Sequence, residues 1–419
     1  MNLLIKSAEI LDDQSSHHKG QFDIHIVNGV IEKIGKDLKD PAADVIIGDG
    51  LKVSAGWVDM RAHFNDPGAE HKEDLDSGAN AAMAAGFTKV LLMPNVNPVV
   101  DQKSAVQYIA RHSKSKIIDL LPCAAVTKGA EGKDLTEMID LQQAGAIAFS
   151  DGIETIWHTD IMLKALQYVQ KFNGILINRA EDKMLTAFAH MNEGHVSTVM
   201  GLKGMPVLSE TIMIERDLKL LEYAGGRLHI SMVSSKEGVD LIAKAKAKGL
   251  QVTCDVGVNY LLFTEDSLEG YDTNLKVNPP YRTATDRQAL ISGLLDGTID
   301  GIVSDHQPQD EESKKLEFDL AEFGTNNLQG FWPILNKVFA GQIEKIIPSI
   351  TSAPRRILGL DLMRIEEGAQ ADLTVFDTDT SWTLDAESNR SKSTYTPMWK
   401  KELKGKVLGI VNHHQCELF

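Results

Sequence analysis

Cysteine is scarce in this chain. Cys123, Cys254 and Cys416 are the three in 419 residues, scattered and without the paired spacing of a structural zinc site. That leaves no disulfide framework and suits a reducing compartment. A surplus of basic residues is also missing: 43 Lys and Arg stand against 59 Asp and Glu, a net charge of −16. This balance argues against a nucleic-acid surface or a polybasic membrane patch. No apolar run approaches the roughly 20 residues of a membrane helix. The opening Met1-Asn2-Leu3-Leu4-Ile5-Lys6 reads as a strand and lacks a signal-peptide pattern, so a cytoplasmic protein is expected. Internal repeats and low-complexity tracts are absent too.

What is present is ordinary soluble composition, 43% hydrophobic and 24% charged, at a length suited to one large domain and a smaller one. Between residues 57 and 304, eight short apolar runs alternate with helical segments. They are Trp57–Arg61, Lys89–Met93, Ile117–Ala125, Ala146–Ser150, Gly174–Arg179, Arg227–Met232, Leu250–Asp255 and Ile299–Ser304. Several intervening segments read as amphipathic helices; Ser234-Ser235-Lys236-Glu237 opens one over Gly238–Lys248 with a capping pattern. Eight strand–helix units predict an α/β fold of the (β/α)8 TIM-barrel type, better than an open sheet or two small domains. The ends differ. Alternating strand patterns flank Asn28-Gly29, a hairpin signal, and strand patterns return at Ala371–Phe376 and Gly405–Val411. The expected division is residues 1–53 and 359–419 pairing into a small β-sandwich around a barrel of residues 54–358. Asp377–Thr396 is polar and expected to be an exposed loop.

In such barrels the functional groups lie where strands end. The first strand runs into Gly56-Trp57-Val58-Asp59-Met60-Arg61-Ala62-His63-Phe64-Asn65-Asp66-Pro67-Gly68. Alternate strand residues share a face, so His-x-His at this point aims two imidazoles at one metal. Here the first position is Arg61. A guanidinium offers no lone pair and stays charged at working pH. The other strand ends supply Pro94-Asn95, Ser150-Asp151-Gly152, Arg179-Ala180-Glu181-Asp182, His229 to Ser234 and Asp305-His306.

These segments, with Lys72-Glu73-Asp74, Ala85-Gly86-Phe87-Thr88, Lys276-Val277-Asn278-Pro279-Pro280 and Pro354-Arg355-Arg356-Ile357-Leu358, carry a resemblance that runs nearly end to end. The chain resembles the dihydroorotases, cyclic-amide amidohydrolases of pyrimidine synthesis, in the type that assembles with aspartate transcarbamoylase. The resemblance implies metal ligands at positions 61 and 63, at Asp151, at position 179, in strand six and at Asp305, which is also the family's catalytic aspartate. His63, Asp151 and Asp305 remain. Arg61, Arg179 and Met232 replace the others. The strand-seven Pro-His-His-Leu of the family reads Val258-Asn259-Tyr260-Leu261. The family's substrate contacts fall on Asn65 (in place of an arginine), Asn95, Asn278, Gln309 (in place of a histidine), Phe323 and Gly324.

Three lost ligands and two added cations argue against a zinc site, which wants about three protein ligands with imidazole prominent. Arg61 and Arg179 are expected to replace the metal and pair with Asp151 and Asp305, a charge-neutral arrangement. The reading is a dihydroorotase-like pseudoenzyme without a cofactor, serving as a structural partner of aspartate transcarbamoylase. Its alternative is a working amidohydrolase that holds zinc with His63, Asp151 and Asp305. A ligand sensor is a third possibility, and homo-oligomers are compatible with each. Blander roles stand beside these: a packed His63, a helix-capping Asp305, an Asp151 that only shapes its turn. His229 is expected to hydrogen-bond within the barrel. Lys72-Glu73-Asp74 reads as a solvated helix start, His17-His18 and His413-His414 as surface pairs, and Asp310–Lys315 as a mobile loop over the mouth.

Overall fold

The computed structural model describes residues 1–114 and 116–419. All eight expected strands form, as Trp57–Ala62, Phe87–Leu92, Asp119–Ala124, Ala148–Phe149, Leu176–Arg179, Leu228–Ser231, Val252–Gly257 and Gly301–Val303. They pair in parallel in chain order. The first and last are joined by a parallel bridge between Ala62 and His306, where the His63 amide donates to the His306 carbonyl at 2.8 Å. The sheet thus closes into a barrel whose strands are buried on both faces. Continuous burial explains why these segments read as apolar runs without alternation. Helices cover the outside. Ser235 caps Lys236–Ala247 by accepting from the Gly238 amide, starting that helix two residues before the expected Gly238. Thr283 caps Ala284–Asp296 through a reciprocal pair with Asp286. Thr283→Ala is expected to cost about 1 kcal/mol, measured as a lower urea midpoint.

Strands from the two ends of the chain meet within one eight-stranded sheet. Asn28 and Gly29 both take positive φ (49° and 78°), the turn that joins Gln21–Val27 to Val30–Gly35. The junction strand Lys52–Ala55 pairs with Leu373–Phe376, register Ala55 to Leu373. Ile5, Ile10, Ile24, Ile26, Val53 and Val375 belong to a second apolar core under this sheet. Trp57 welds the two bodies: it is fully buried, its ring centroid 5.3 Å from Trp332 and 5.2 Å from Phe376, and its indole N–H donates to Ser54 at 2.9 Å.

Several polar segments fold differently from expectation. Glu73 is fully buried, accepting from the Ser77 and Ser391 hydroxyls and from the Lys392 amide at 3.2 Å. Its neighbours are thus the start of a helix that is capped inward, not solvated. Residues 377–396 are exposed only in part: Asp379, Thr380, Glu387 and Arg390 face solvent, but Ser391, Ser393 and Thr396 are buried, and Ser393 donates to the Gln309 carbonyl at 2.7 Å. Glu311–Lys314 is a short helix, and Lys314 is buried with its ammonium on the carbonyls of Thr273 and Glu322, each at 2.8 Å. His413 and His414 are exposed, as expected of a surface pair, and meet Asp119 at 2.9 Å and the Asn28 carbonyl at 2.6 Å. Among the described residues no helix is long and apolar enough to cross a membrane.

Candidate functional site

Arg61 and His63 follow one another on the mouth side of the first strand and point inward, 1% and 5% exposed. The Arg61 Nε donates to Asp305 Oδ1 at 2.9 Å. Its two terminal nitrogens reach the Gly152 carbonyl only at 3.5 and 3.4 Å, and Met93 Sδ at 3.9 Å. A buried guanidinium therefore stands against the carboxylate that resembles the family's catalytic aspartate. Burial raises the Asp305 pKa, while Arg61 and a 2.8 Å bond from Gln307 Nε2 pull it back. His63 is held neutral: burial, and then the Arg61 charge, push its pKa well below 6.5, and its Nε2 is buried without a hydrogen-bond partner.

The second expected ion pair does not form. Arg179 pairs with Glu181, two residues on, and its terminal nitrogens donate to the carbonyls of Asn278 and Ile153, while its Nε is buried without a partner among the described residues. Asp151 instead accepts from the Thr127 amide at 2.9 Å and the Thr127 hydroxyl at 2.6 Å. Burial raises its pKa, offset chiefly by Thr127, with Lys183 a lesser and more distant charge. The physical reason is local: residues i and i+2 at a strand end share a side, so Glu181 reaches Arg179 without crossing the barrel. The sequence signal for this pair is the Arg-x-Glu spacing of Arg179 and Glu181. Nothing in the sequence joined Thr127 to Asp151.

Met232 is buried with φ of 62°, and its amide donates to Asp255 at 2.6 Å. Asn65 and Asp305 also take positive φ, 52° and 49°. Three such residues at strand ends mark a mouth whose backbone is held in sparsely populated conformations. His229 donates and accepts within the barrel wall, on Asp255 and Thr253 at 2.8 Å each, as expected.

The positions that resemble substrate contacts are engaged internally. Asn95 gives its amide to the Asp151 carbonyl and accepts from the Ile153 amide, both at 2.9 Å. Gln309 accepts from Lys72 at 2.6 Å and donates to the Phe323 carbonyl at 2.7 Å. Asn278 donates to Glu181 at 3.1 Å, and Asn65 to the Pro308 carbonyl at 3.3 Å. Phe323 carries the Lys276 ammonium 4.9 Å from its ring centroid. Gly324, at φ of 111°, lies so close to Gln307 that a Cβ would come within 2.6 Å of that carbonyl.

These residues do not fit a resident metal. Among the described residues no cluster of three His, Cys, Asp or Glu side chains could hold one. The Arg61 guanidinium lies against Asp305, and Asp151 turns its carboxylate to Thr127. The arrangement neutralises and fixes a buried carboxylate.

The architecture is shared with hydrolases. L-hydantoinase (dihydropyrimidinase) from Arthrobacter aurescens superposes with a TM-score of 0.84 over 100% of this chain and 97% of its own, at 24% identity. Sequence says more. A family described as Dihydro-orotase-like matches residues 51–238. The dihydroorotase of Geotalea daltonii is 38% identical over 410 residues, covering 97% of this chain and 96% of its own. That of Aquifex aeolicus is 39% identical over 412 residues, covering 97% of each. Likeness at this level along both chains, through the barrel and the sheet alike, goes beyond a common architecture: the chain belongs to the dihydroorotase family.

Proposed function

We propose that this chain is a dihydroorotase-like protein of pyrimidine biosynthesis that has given up hydrolysis and acts as a structural partner of aspartate transcarbamoylase. One observation carries the loss of chemistry. A permanent cation, Arg61, is buried with its Nε 2.9 Å from Asp305, where a dihydroorotase would need a metal and a free carboxylate. The internal engagement of Asn95, Gln309 and Asn278 supports the same reading. The transcarbamoylase role rests on the resemblance to the subtype that forms that complex. An inactive barrel can still stabilise a partner, because binding to the folded form alone shifts that form's equilibrium by mass action.

The test has two arms. Purified protein is expected to contain far less than one zinc per chain and to leave dihydroorotate unhydrolysed with or without added zinc. Tagged chain is expected to retain the transcarbamoylase of the same cell through purification. Hydrolysis that disappears in Asp305→Ala would restore the working amidohydrolase with His63, Asp151 and Asp305 as ligands. Failure of the two purified proteins to associate would remove the partnership while leaving the loss of catalysis standing.

A further inference from the structure

A cavity of about 760 Å³ opens where the barrel meets the small sheet, and none of Arg61, His63, Asp151 and Asp305 lines it. Its floor is apolar, built from Leu11, Leu262, Phe263, Ile334, Met398 and Leu403. The helix Phe331–Val338 turns one face into it, with Asn336 and Lys337 three and four residues after Pro333. Asn336 is 7% exposed, and both its N–H groups are engaged, on the carbonyls of Thr378 at 2.9 Å and Lys404 at 3.0 Å. Its Oδ1 accepts from no described residue, so a largely buried acceptor is left for whatever enters. The rim is charged. Glu9 holds Lys52, Asp379 holds Lys404 at 3.1 Å, and Glu344 holds Lys19 at 3.5 Å. That leaves the exposed Lys337 and Lys401 against one further carboxylate, Glu402, an excess of one positive charge. In a chain of net charge −16 such a rim is a local exception, and it favours an anion.

We infer that this cavity binds an amphipathic organic monoanion. The apolar body would lie on the floor, an N–H or O–H would donate to Asn336 Oδ1, and a single carboxylate or sulfonate would meet Lys337 and Lys401. Size and lining both suit such a ligand: small-molecule sites span roughly 300–1,000 Å³ and are mostly apolar with a few placed polar groups. A free inorganic anion would leave the apolar floor in water. A neutral hydrocarbon would leave Asn336 Oδ1 and the two ammonium groups without a partner. Such binding needs nothing from the barrel mouth, whether that mouth is active or inactive.

The probe is 8-anilinonaphthalene-1-sulfonate, which carries an aromatic body, an N–H and a sulfonate. Calorimetric titration into the full chain is expected to show one site per chain with a dissociation constant on the order of 10 µM. N-phenyl-1-naphthylamine, the same body without the sulfonate, is expected to bind about tenfold more weakly. Lys337→Glu with Lys401→Glu is expected to weaken the sulfonate about tenfold or more while leaving the neutral amine unchanged. Both lysines are exposed and have no ion-pair partner among the described residues, so circular dichroism and the thermal midpoint are expected to hold. Ala340→Trp, at an exposed position of the lining, fills the cavity and is expected to weaken both probes. Phe188→Ser, an exposed apolar position outside the cavity, is the control that leaves both affinities as they are. Absence of saturable binding, equal affinity for the two probes, an unweakened lysine double variant, or loss of binding in Phe188→Ser would each overturn the site.

Discussion

Arg61→Ala is expected to lower stability by about 3–5 kcal/mol near neutral pH, the usual cost of removing one member of a buried pair. Asp305 would keep the Gln307 amide as a donor but lose the 2.9 Å guanidinium that balances its charge. The loss depends on pH. Burial already raises the Asp305 pKa above 3.8, and without Arg61 it rises further. The folded variant then retains a proton that the unfolded chain releases, so its stability falls as pH rises. Urea midpoints at pH 5 and pH 8 would measure both effects, with the larger deficit at pH 8. Arg61→Met combined with Asp305→Asn removes both charges and is expected to recover most of the loss, because the cost lies in the unpaired carboxylate. A deficit below about 1 kcal/mol in the single variant would show that the guanidinium is not what neutralises Asp305.

Asp59→Asn is expected to change the pH profile of stability as strongly. Asp59 is fully buried on the first strand, accepting from the Arg61 and Ser304 amides at 3.1 Å each and from the Ser304 hydroxyl. Desolvation dominates and pushes its pKa from 3.8 up to about 7. In the unfolded chain Asp59 ionises near pH 4, whereas the folded chain holds the proton until about pH 7. The folded state therefore binds more protons across that window, and stability falls as pH rises through it. From pH 5 to pH 8 the difference amounts to about 2–3 kcal/mol for this one group. An uncharged asparagine cannot follow, so the variant should gain on the wild type by about that amount over the same range. Parallel curves for the two proteins would refute the shifted carboxyl.

The sequence shows the barrel because its signals are local. Eight apolar runs record eight strands buried on both faces, and Asn28-Gly29 records a turn that needs two positive φ values. The Arg61–Asp305 pair was legible because both residues end adjacent strands of the closed barrel. The expectation that Arg61 and Arg179 pair with Asp151 and Asp305 rests for Arg179 on charge balance alone, and balance does not say which way a side chain points. Glu181 satisfied it at shorter range. Glu73 is buried for a reason no local pattern carries. Its partner Ser391 lies more than 300 residues away, and no local pattern reports a bond of that span. The polar composition of residues 377–396 hides long-range bonds in the same way: the Ser391 and Ser393 hydroxyls donate to Glu73 and the Gln309 carbonyl, and the Ser393 carbonyl accepts from Asn326.

The strand pairing of Ala55 with Leu373 has a consequence for biosynthesis. Roughly 320 residues separate the two, and at about 5–20 residues per second the ribosome takes some 15–60 s to make them. Throughout that interval the hairpin of Gln21–Val27 and Val30–Gly35 has emerged with Ile24, Ile26 and Ile31 but without the strands that complete its core. The small sheet is thus the last body to close although its first strands are made first. The nascent chain must carry the open edge of Lys52–Ala55, whose partner Leu373–Phe376 is made last, for most of its synthesis, which makes that edge the place where chaperone capture or aggregation would begin.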